Sequence, residues 1–248
     1  MSALDLAVVF AGLAIAGSAK GLAGMGLPLI ATPVLAGVFG PRDAVVIVAF
    51  PILVANTLLL VTGWRRVPGL IGGILPILVA GAIGTVVGVS LLAQLDQRIF
   101  AVLISAMVAL FLLRGERLLG IDPAARRARF AGPVVGLIGG GLQGSTSIAS
   151  PIVGGYFHTR RLAAADFVVI LAALFQLNSL VQIGGFLAYD LLTPELLALG
   201  IVGVVPTLIG LIAGIELRGR ISAERFRQLI VVMLVLSVAN LLWRTLGI

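Results

Sequence analysis

The sequence contains no cysteine, a single histidine and a single lysine, and only 11% of its residues are charged. Without cysteine, the chain can form no disulfide, no thiolate metal site and no cysteine nucleophile. The lone histidine, His158, argues against a metal site built from clustered histidines. The sequence contains no nucleotide-binding motif, so ATP is not expected as the direct energy source. We therefore expect a protein that works without a metal or a cofactor.

Apolar residues make up 60% of the 248 residues, and the mean hydropathy is +1.21. Membrane-spanning helices need runs of about 20 such residues. Open sheets cannot lie in lipid, and the alternation of an outer-membrane barrel is missing, so the composition predicts an all-α polytopic membrane protein. Basic cytoplasmic loops explain the net charge of +7 better than nucleic-acid binding does. The N-terminus lacks the basic segment of a cleavable signal peptide.

Two glycine-rich stretches interrupt the apolar regions. The first, Gly17–Pro33, contains four glycines, two prolines and Lys20. Glycine and proline are poor helix formers, but proline is favoured in a first turn. The first stretch therefore predicts a helix that stops, an unwound turn, and a second helix that begins near Pro28. The second stretch, Gly136–Pro151, has the same character.

The rest of the chain divides into two halves around these breaks. The apolar runs Leu6–Ala19 and Leu27–Phe39 are each too short to cross a core of about 30 Å, so we expect a broken or re-entrant hairpin there. The polar stretch Arg114–Arg129 separates the halves. The predicted parts are an N-terminal repeat 1–114 (hairpin 5–40, spans 43–63, 68–93 and 98–114), a linker 115–131, and a C-terminal repeat 132–248 (hairpin 132–157, spans 164–188, 195–217 and 225–246).

An internal duplication is the simplest account of this repeated order. If the linker is cytoplasmic, counting spans places thirteen basic residues inside and three outside, as the positive-inside rule requires. The first hairpin then starts outside and the second inside, so we expect inverted-topology repeats in the inner membrane. The residues that align in sequence are Gly26 with Gly144, Thr32-Pro33 with Ser150-Pro151, Asn56-Thr57 with Asn178-Ser179, Pro76 with Pro206, and Gly84 with Gly214.

Inverted repeats with broken helices are typical of secondary transporters whose binding site lies near the midplane. A helix that starts inside the membrane presents free N–H groups and its positive dipole end, which favours anions. Leu27–Leu29 and Ser145–Ser147 are the predicted starts. Lys20 is expected to face a cavity, the alternative being a side chain that reaches toward water. The candidate substrate-binding residues are Lys20, Gly24, Gly26, Leu27, Asn56, Gln143, Gly144, Ser145, Thr146, Ser147 and Asn178.

Glycines in the two breaks let the backbone approach a ligand closely. The alternative role for a glycine in a membrane bundle is close helix packing. We expect the ligand role for the breaks and the packing role for Gly81, Gly84, Gly210 and Gly214.

The residues of the first break also carry a family resemblance. Its glycines and prolines (Gly24–Pro28 and Pro33), the Pro41-Arg42-Asp43-Ala44 that follows, and the repeat in Gly136–Pro151 resemble the TauE/SafE sulfite exporter family, also called the toluene sulfonate uptake permease family. The resemblance covers nearly the whole chain in length, span order and duplication. It implies a bacterial inner-membrane carrier of sulfur-containing anions such as sulfite, sulfonates or sulfoacetate.

We therefore expect a secondary transporter of such anions, and not an enzyme, that exports by alternating access. An inside-negative potential drives each negative charge outward by about 2.3 kcal/mol per 100 mV. An anion channel and a carrier of carboxylates stay as alternatives. Ser145 or Ser147 as an enzymatic nucleophile is disfavoured, because no histidine or acid lies near them in sequence. The expected partners are the anion and the lipid bilayer, with a homodimer left open and no nucleic acid.

Overall fold

The computed structural model describes residues 3–114, 128–160, 162–217 and 223–246, which form ten α-helices and one short 3₁₀ turn, Trp64–Arg66. The helices are α1 (Ala3–Ala23), α2 (Leu27–Phe39), α3 (Pro41–Thr62), α4 (Val67–Gln94), α5 (Gln97–Arg114), α6 (Ala128–Thr146), α7 (Ser150–His158), α8 (Ala164–Ala188), α9 (Pro194–Glu216) and α10 (Ala223–Leu246).

Five segments in these ranges are long and apolar enough to cross a membrane, and the described residues contain no strand. The chain is thus an all-α polytopic membrane protein, as its composition predicts. Shorter apolar helices occur at 27–39, 97–113 and 230–245, and the last two lie in predicted spans. The five long segments are Asp5–Ala23, Pro41–Thr62, Trp64–Gln94, Ala164–Ala188 and Pro194–Glu216.

The first helix is longer than the sequence suggests. α1 continues through Gly17, Lys20 and Gly21 to Ala23, so its 21 residues reach about 31 Å, enough to span the apolar core. The expectation that this run is too short to span is therefore wrong. The two glycines do not end the helix, because each lies directly against the backbone of α9, where a side chain would collide.

The break itself is confined to three residues in each half. In the first half, residues 24–26 separate α1 from α2, and Gly24 and Gly26 have φ angles of 79° and 100°, a left-handed region that glycine adopts at little cost. In the second half, residues 147–149 separate α6 from α7, and Ser147 takes the left-handed φ of 60°. Four residues of the predicted linker, 128–131, belong to α6, while 115–127 lie outside the described residues.

The helix boundaries correct the alignment of the two breaks. Pro28 and Pro151 are each the second residue of a post-break helix, and Lys20 and Gln143 are each the fourth residue from the end of a pre-break helix. The sequence alignment misses this register because it matches Pro151 with Pro33, whereas the helix positions match Pro151 with Pro28. The helix positions therefore replace two pairings of the sequence alignment, Gly26 with Gly144 and Thr32-Pro33 with Ser150-Pro151.

Glycines join the two halves by direct backbone contact. α1 packs along α9 and α6 packs along α4, so the first helix of each half lies against a long helix of the other. A side chain at Gly210 would collide with the Ala14 carbonyl of α1, and one at Gly84 with the Leu137 carbonyl of α6. The packing role expected of these glycines is confirmed. By these contacts Gly84 corresponds to Gly210, whereas the sequence alignment pairs it with Gly214.

Two side-chain contacts show which helix ends lie together. Arg66, after α3, pairs with Asp166 at the start of α8, with 2.8 Å between Nη1 and Oδ1. Asp166 is therefore an ion-pair partner and not the helix cap that its position suggests. At the other end of the bundle, Arg42 donates to the Leu92 and Leu95 carbonyls at 3.1 and 2.9 Å. The start of α3 therefore lies beside the end of α4.

These contacts predict the sidedness of four exposed positions. Single cysteines at Arg65 and His158 should react with an impermeant maleimide only from the cytoplasmic face, and those at Asp96 and Tyr189 only from the opposite face. The native chain has no cysteine, so no background labelling needs to be removed. Whole cells and inverted vesicles provide the two faces. Labelling of positions 65 and 96 from the same face would show that α4 does not cross the membrane.

Candidate functional site

Two helices begin inside the bundle without a side-chain cap. α2 begins at the buried Leu27 and α7 at the buried Ser150, and their N-cap residues, Gly26 and Ala149, supply no side-chain cap. By contrast, the exposed start of α9 is capped by Thr193, whose side chain accepts from the Leu196 N–H. Uncapped starts in a low-dielectric interior leave N–H donors and a positive dipole end available to an anion.

The second helix start lies later than the sequence predicts. Ser145 and Thr146 are the last residues of α6 and not the first of α7, and their hydroxyls donate to the Gly141 and Leu142 carbonyls at 2.8 Å. The Thr146 hydroxyl also accepts from the Ile148 N–H at 3.2 Å. These two hydroxyls therefore stabilise the end of α6, and Ser150 takes the position at the helix start.

Gln182 of α8 stabilises the second break. Its Nε2 donates to the Gln143 carbonyl at 2.7 Å and to the Ser147 hydroxyl at 3.1 Å, and its Oε1 lies 3.5 Å from the Gln143 Nε2. All three residues are almost completely buried. The Gln143 carbonyl also accepts from the Ser147 N–H at 2.9 Å, so Gln182 adds a second bond there and joins α8 to the end of α6.

Lys20 is the one charged residue among the buried side chains of the described chain, with 1% of its surface exposed. Its ammonium lies 5.8 Å from the centre of the Phe175 ring on α8, a cation–π distance. Within the described ranges, the single salt bridge is the one between Arg66 and Asp166, so no carboxylate there neutralises Lys20. An unpaired buried charge is costly, and an anionic ligand would remove that cost.

One face of α8 connects the two breaks. Phe175, Ser179 and Gln182 follow the i, i+4, i+7 spacing of a helix face, and all three are buried. Phe175 contacts Lys20 near the end of α1, and Gln182 bonds the end of α6. The two ends of this face are about 10 Å apart along the helix. Ser179 lies between them.

The predicted amides belong to α3 and α8, two helices that pack together. Gln176 donates to the Thr57 hydroxyl at 3.0 Å, and Asn56 and Asn178 lie within two residues of this bond in their helices. A side chain at Gly81 of α4 would lie 3.1 Å from the Asn178 Oδ1, so Asn178 is directed toward α4.

Several buried polar atoms of this region have no hydrogen-bond partner within the described chain. Such atoms destabilise a protein unless water or a ligand reaches them. Thr32, Ser150 and Ser179 join the site on this ground; in sequence they stand out as members of the aligned pairs but not as ligand-binding residues. The atoms are Thr32 Oγ1, Asn56 Nδ2 and Oδ1, Ser150 Oγ, Gln176 Oε1, Asn178 Oδ1 and Ser179 Oγ.

The chemistry of this region suits an oxyanion. The groups near the breaks are an ammonium, hydroxyls, amides and helix N–H groups, which all donate hydrogen bonds. In the part of the chain that the structure describes, no group of three or more His, Cys, Asp or Glu side chains could hold a metal ion.

The comparison with known families agrees with this chemistry. The family model for "Sulfite exporter TauE/SafE" matches residues 8–241, a range that includes both breaks. The chain belongs to the TauE/SafE sulfite exporter family. Searches among curated proteins and among solved structures found no significant match. TauE/SafE proteins are membrane exporters of sulfur anions, and the long apolar helices described above agree with that class.

The glycines of this TauE/SafE chain divide into two groups by their surroundings. Gly26 has open space around it: a Cβ at this position would have only the Ala19 side chain within 4 Å, at 3.9 Å. Gly24 faces Val168 and needs glycine for its φ angle. Gly144 lies against the Thr85 carbonyl of α4, so it packs helices together and does not face a ligand. The predicted ligand role fits Gly26 but not Gly144.

The surroundings of Gly144 predict a loss of stability. Gly144→Ala should lower the thermal unfolding temperature of the detergent-solubilised protein, because overpacking costs about 1–3 kcal/mol. Gly184→Ala is the matched control: Gly184 is also helical, has nothing within 4 Å, and should tolerate alanine or gain up to about 1 kcal/mol. Tryptophan fluorescence on heating measures both. An unchanged unfolding temperature for Gly144→Ala together with lost transport would favour a ligand role instead.

Proposed function

We propose that this chain is a secondary transporter that exports small sulfur oxyanions, such as sulfite or sulfonates, by alternating access around the two helix breaks. The observation that carries this proposal is the buried face of α8, which extends from the unpaired Lys20 to the second break. The Ser179 hydroxyl, a donor without a partner in the described chain, lies on it. The family match supports sulfur as the element carried.

The proposed architecture is a pair of inverted repeats, 1–114 and 132–248, joined by a cytoplasmic linker at 115–131. Equal positions support it: Pro28 and Pro151 are each second in their helix, and Lys20 and Gln143 are each fourth from the end of theirs. The reciprocal packing of α1 on α9 and of α6 on α4 is what a two-fold relation between the halves would produce.

In the proposed binding mode, the anion lies between the Lys20 ammonium and the N–H groups of Leu27 and Leu29 in α2 and of Ser150 in α7. The second residue of each helix is proline and has no N–H to offer. Lys20 supplies the only full positive charge that is buried in the described chain. The helix starts add partial positive charge, about half a unit each, and the first turns of α2 and α7 contain no acidic residue. Leu27 and Gly26 offer backbone contacts at the first break, and Ser150 offers them at the second.

The structure has the burial expected of an occluded state. Every buried polar side chain near the breaks is at most 5% exposed, so a substrate must wait for a movement that opens the site. In this scheme the break helices move relative to α3 and α8, and the site opens alternately to the two sides. An inside-negative potential across an inner membrane would favour outward movement of the anion.

Flux in proteoliposomes tests the proposed function. Uptake should saturate and show counterflow for at least one of sulfite, thiosulfate, sulfoacetate and methanesulfonate, while acetate, a carboxylate control, should not compete. Conductance steps without saturation would support an anion channel, and competition by acetate alone would support a carboxylate carrier.

Lys20 provides a sharper test of the site. Lys20→Met should weaken anion binding by about 1.5–3 kcal/mol, the range for hydrogen bonds to charged groups, which corresponds to about 10- to 150-fold in Kd. Lys20→Arg should keep part of the affinity, because it keeps the charge but changes the donor geometry. Isothermal titration calorimetry of the purified protein measures both variants.

The control for Lys20→Met is thermal stability. Removal of an unpaired buried charge should leave the unfolding temperature unchanged or higher, so a loss of affinity cannot be ascribed to misfolding. An unchanged Kd of Lys20→Met for every anion that the native protein binds would exclude Lys20 from the site.

A further inference from the structure

We propose that the Ser179 hydroxyl and the Asn56 amide donate hydrogen bonds directly to the oxygens of the transported anion. This inference rests on the proposed function and extends it, because it assigns two neutral donors, one from each half, to the sulfite or sulfonate oxygens.

Ser179 differs from six other helical hydroxyls of the described chain and shares the lack of a partner with Thr32, Ser105 and Ser150. In a helix, a Ser or Thr hydroxyl commonly donates to the carbonyl four residues earlier. Ser18, Thr57, Thr85, Ser145, Thr146 and Thr207 all do so, at 2.8–3.0 Å. The Ser179 Oγ is completely buried and has no partner. Its hydroxyl is therefore free to donate to something that the protein itself does not supply.

The position of Ser179 shows where that donor lies. It is one turn after Phe175, which contacts Lys20, and nearly one turn before Gln182, which bonds Gln143 and Ser147. The three side chains share one face of α8. Ser179 thus lies between the buried ammonium and the second break, where the proposed anion binds.

Asn56 occupies the same position in α3. It is the sixteenth residue of α3, as Ser179 is the sixteenth of α8, and the Thr57–Gln176 hydrogen bond holds the two helices together at this level. Asn56 is 0% exposed, and neither its Nδ2 nor its Oδ1 has a partner among the described residues. The two helices that pack together at the centre therefore each place an unpartnered donor at the same level.

Neutral donors of this kind fit a small oxyanion that has lost its water shell. Hydroxyl and amide groups replace the hydrogen bonds that water makes to anion oxygens, without a second fixed charge beside Lys20. A buried polar group without a partner costs folding stability, and the bound anion would remove that cost. Removal of the Ser179 hydroxyl or the Asn56 amide should therefore stabilise the ligand-free protein but weaken its binding of the anion.

This opposition between stability and affinity is the test. We would measure Kd for sulfite under nitrogen and for methanesulfonate by calorimetry, and the unfolding temperature of the ligand-free protein. Ser179→Ala should weaken binding by about 10- to 100-fold, the range for a hydrogen bond to a charged group, with an unchanged or higher unfolding temperature. Asn56→Leu, close in shape, should behave in the same way.

Two control variants separate the explanations. The Ser105 hydroxyl is also buried without a partner in the described chain, but it belongs to α5, which neither forms a break nor carries a proposed ligand contact, so Ser105→Ala should leave Kd unchanged and stability unchanged or higher. Thr207→Val removes a hydroxyl that donates to the Gly203 carbonyl. This variant shows how the loss of an ordinary hydrogen-bonded hydroxyl changes Kd and the unfolding temperature.

Any other outcome contradicts either this inference or the proposed function. If the native protein binds the anion, and Ser179→Ala and Asn56→Leu bind it with the same Kd, this inference alone is overturned. A lower unfolding temperature in both variants would give these groups a structural role and would also overturn it. If the native protein binds neither sulfite nor methanesulfonate, the proposed function fails first, and this inference fails with it.

Discussion

Backbone hydrogen bonding inside a membrane is the constraint on which this structure depends. Lipid offers no partner for a free N–H or C=O group, so a helix can stop within the bundle only where protein surrounds the break. At the second break, Gln182 satisfies the Gln143 carbonyl and the Ser147 hydroxyl. The N-cap residues at the starts of α2 and α7 supply no such side-chain bond. The second break thus has a bonded carbonyl at the end of α6, while the start of α7 has no side-chain cap.

Close backbone contact gives this arrangement its rigidity. Glycines of α1 and α9 meet one another's carbonyls, and those of α6 and α4 do the same. Dispersion and packing replace the hydrophobic effect as the force between helices in lipid, and both need short distances. Glycine therefore has two separate roles here: it brings helices together at Gly84 and Gly210, and it permits the left-handed turn at Gly24 and Gly26.

Much of the fold could be predicted from the sequence, because composition and apolar run length reflect the solvent around the chain. The first break, its proline-led second helix and the packing glycines were predicted correctly. The length of α1 was not, because whether a glycine ends a helix depends on the α9 backbone beside it. The roles of Gly144, Ser145 and Thr146 were misassigned for the same reason: local sequence does not show which neighbour a residue meets. The amide of Gln182 can be identified from the sequence as one that could line the pocket or bridge helices, but its partners, and the missing partner of Ser179, emerge only from contacts between helices.

The difference between Lys20 and Gln143, which hold equal positions in their helices, has a consequence for how such a protein could arise. Two identical halves would place two ammonium groups at opposite ends of one buried face of about 10 Å, where their repulsion is weakly screened. Two halves within one chain can differ, so one position keeps the charge while the other becomes a neutral amide that Gln182 can bond. A single gene with two unlike halves can therefore hold one cation in its centre, which a symmetric pair of identical chains cannot do.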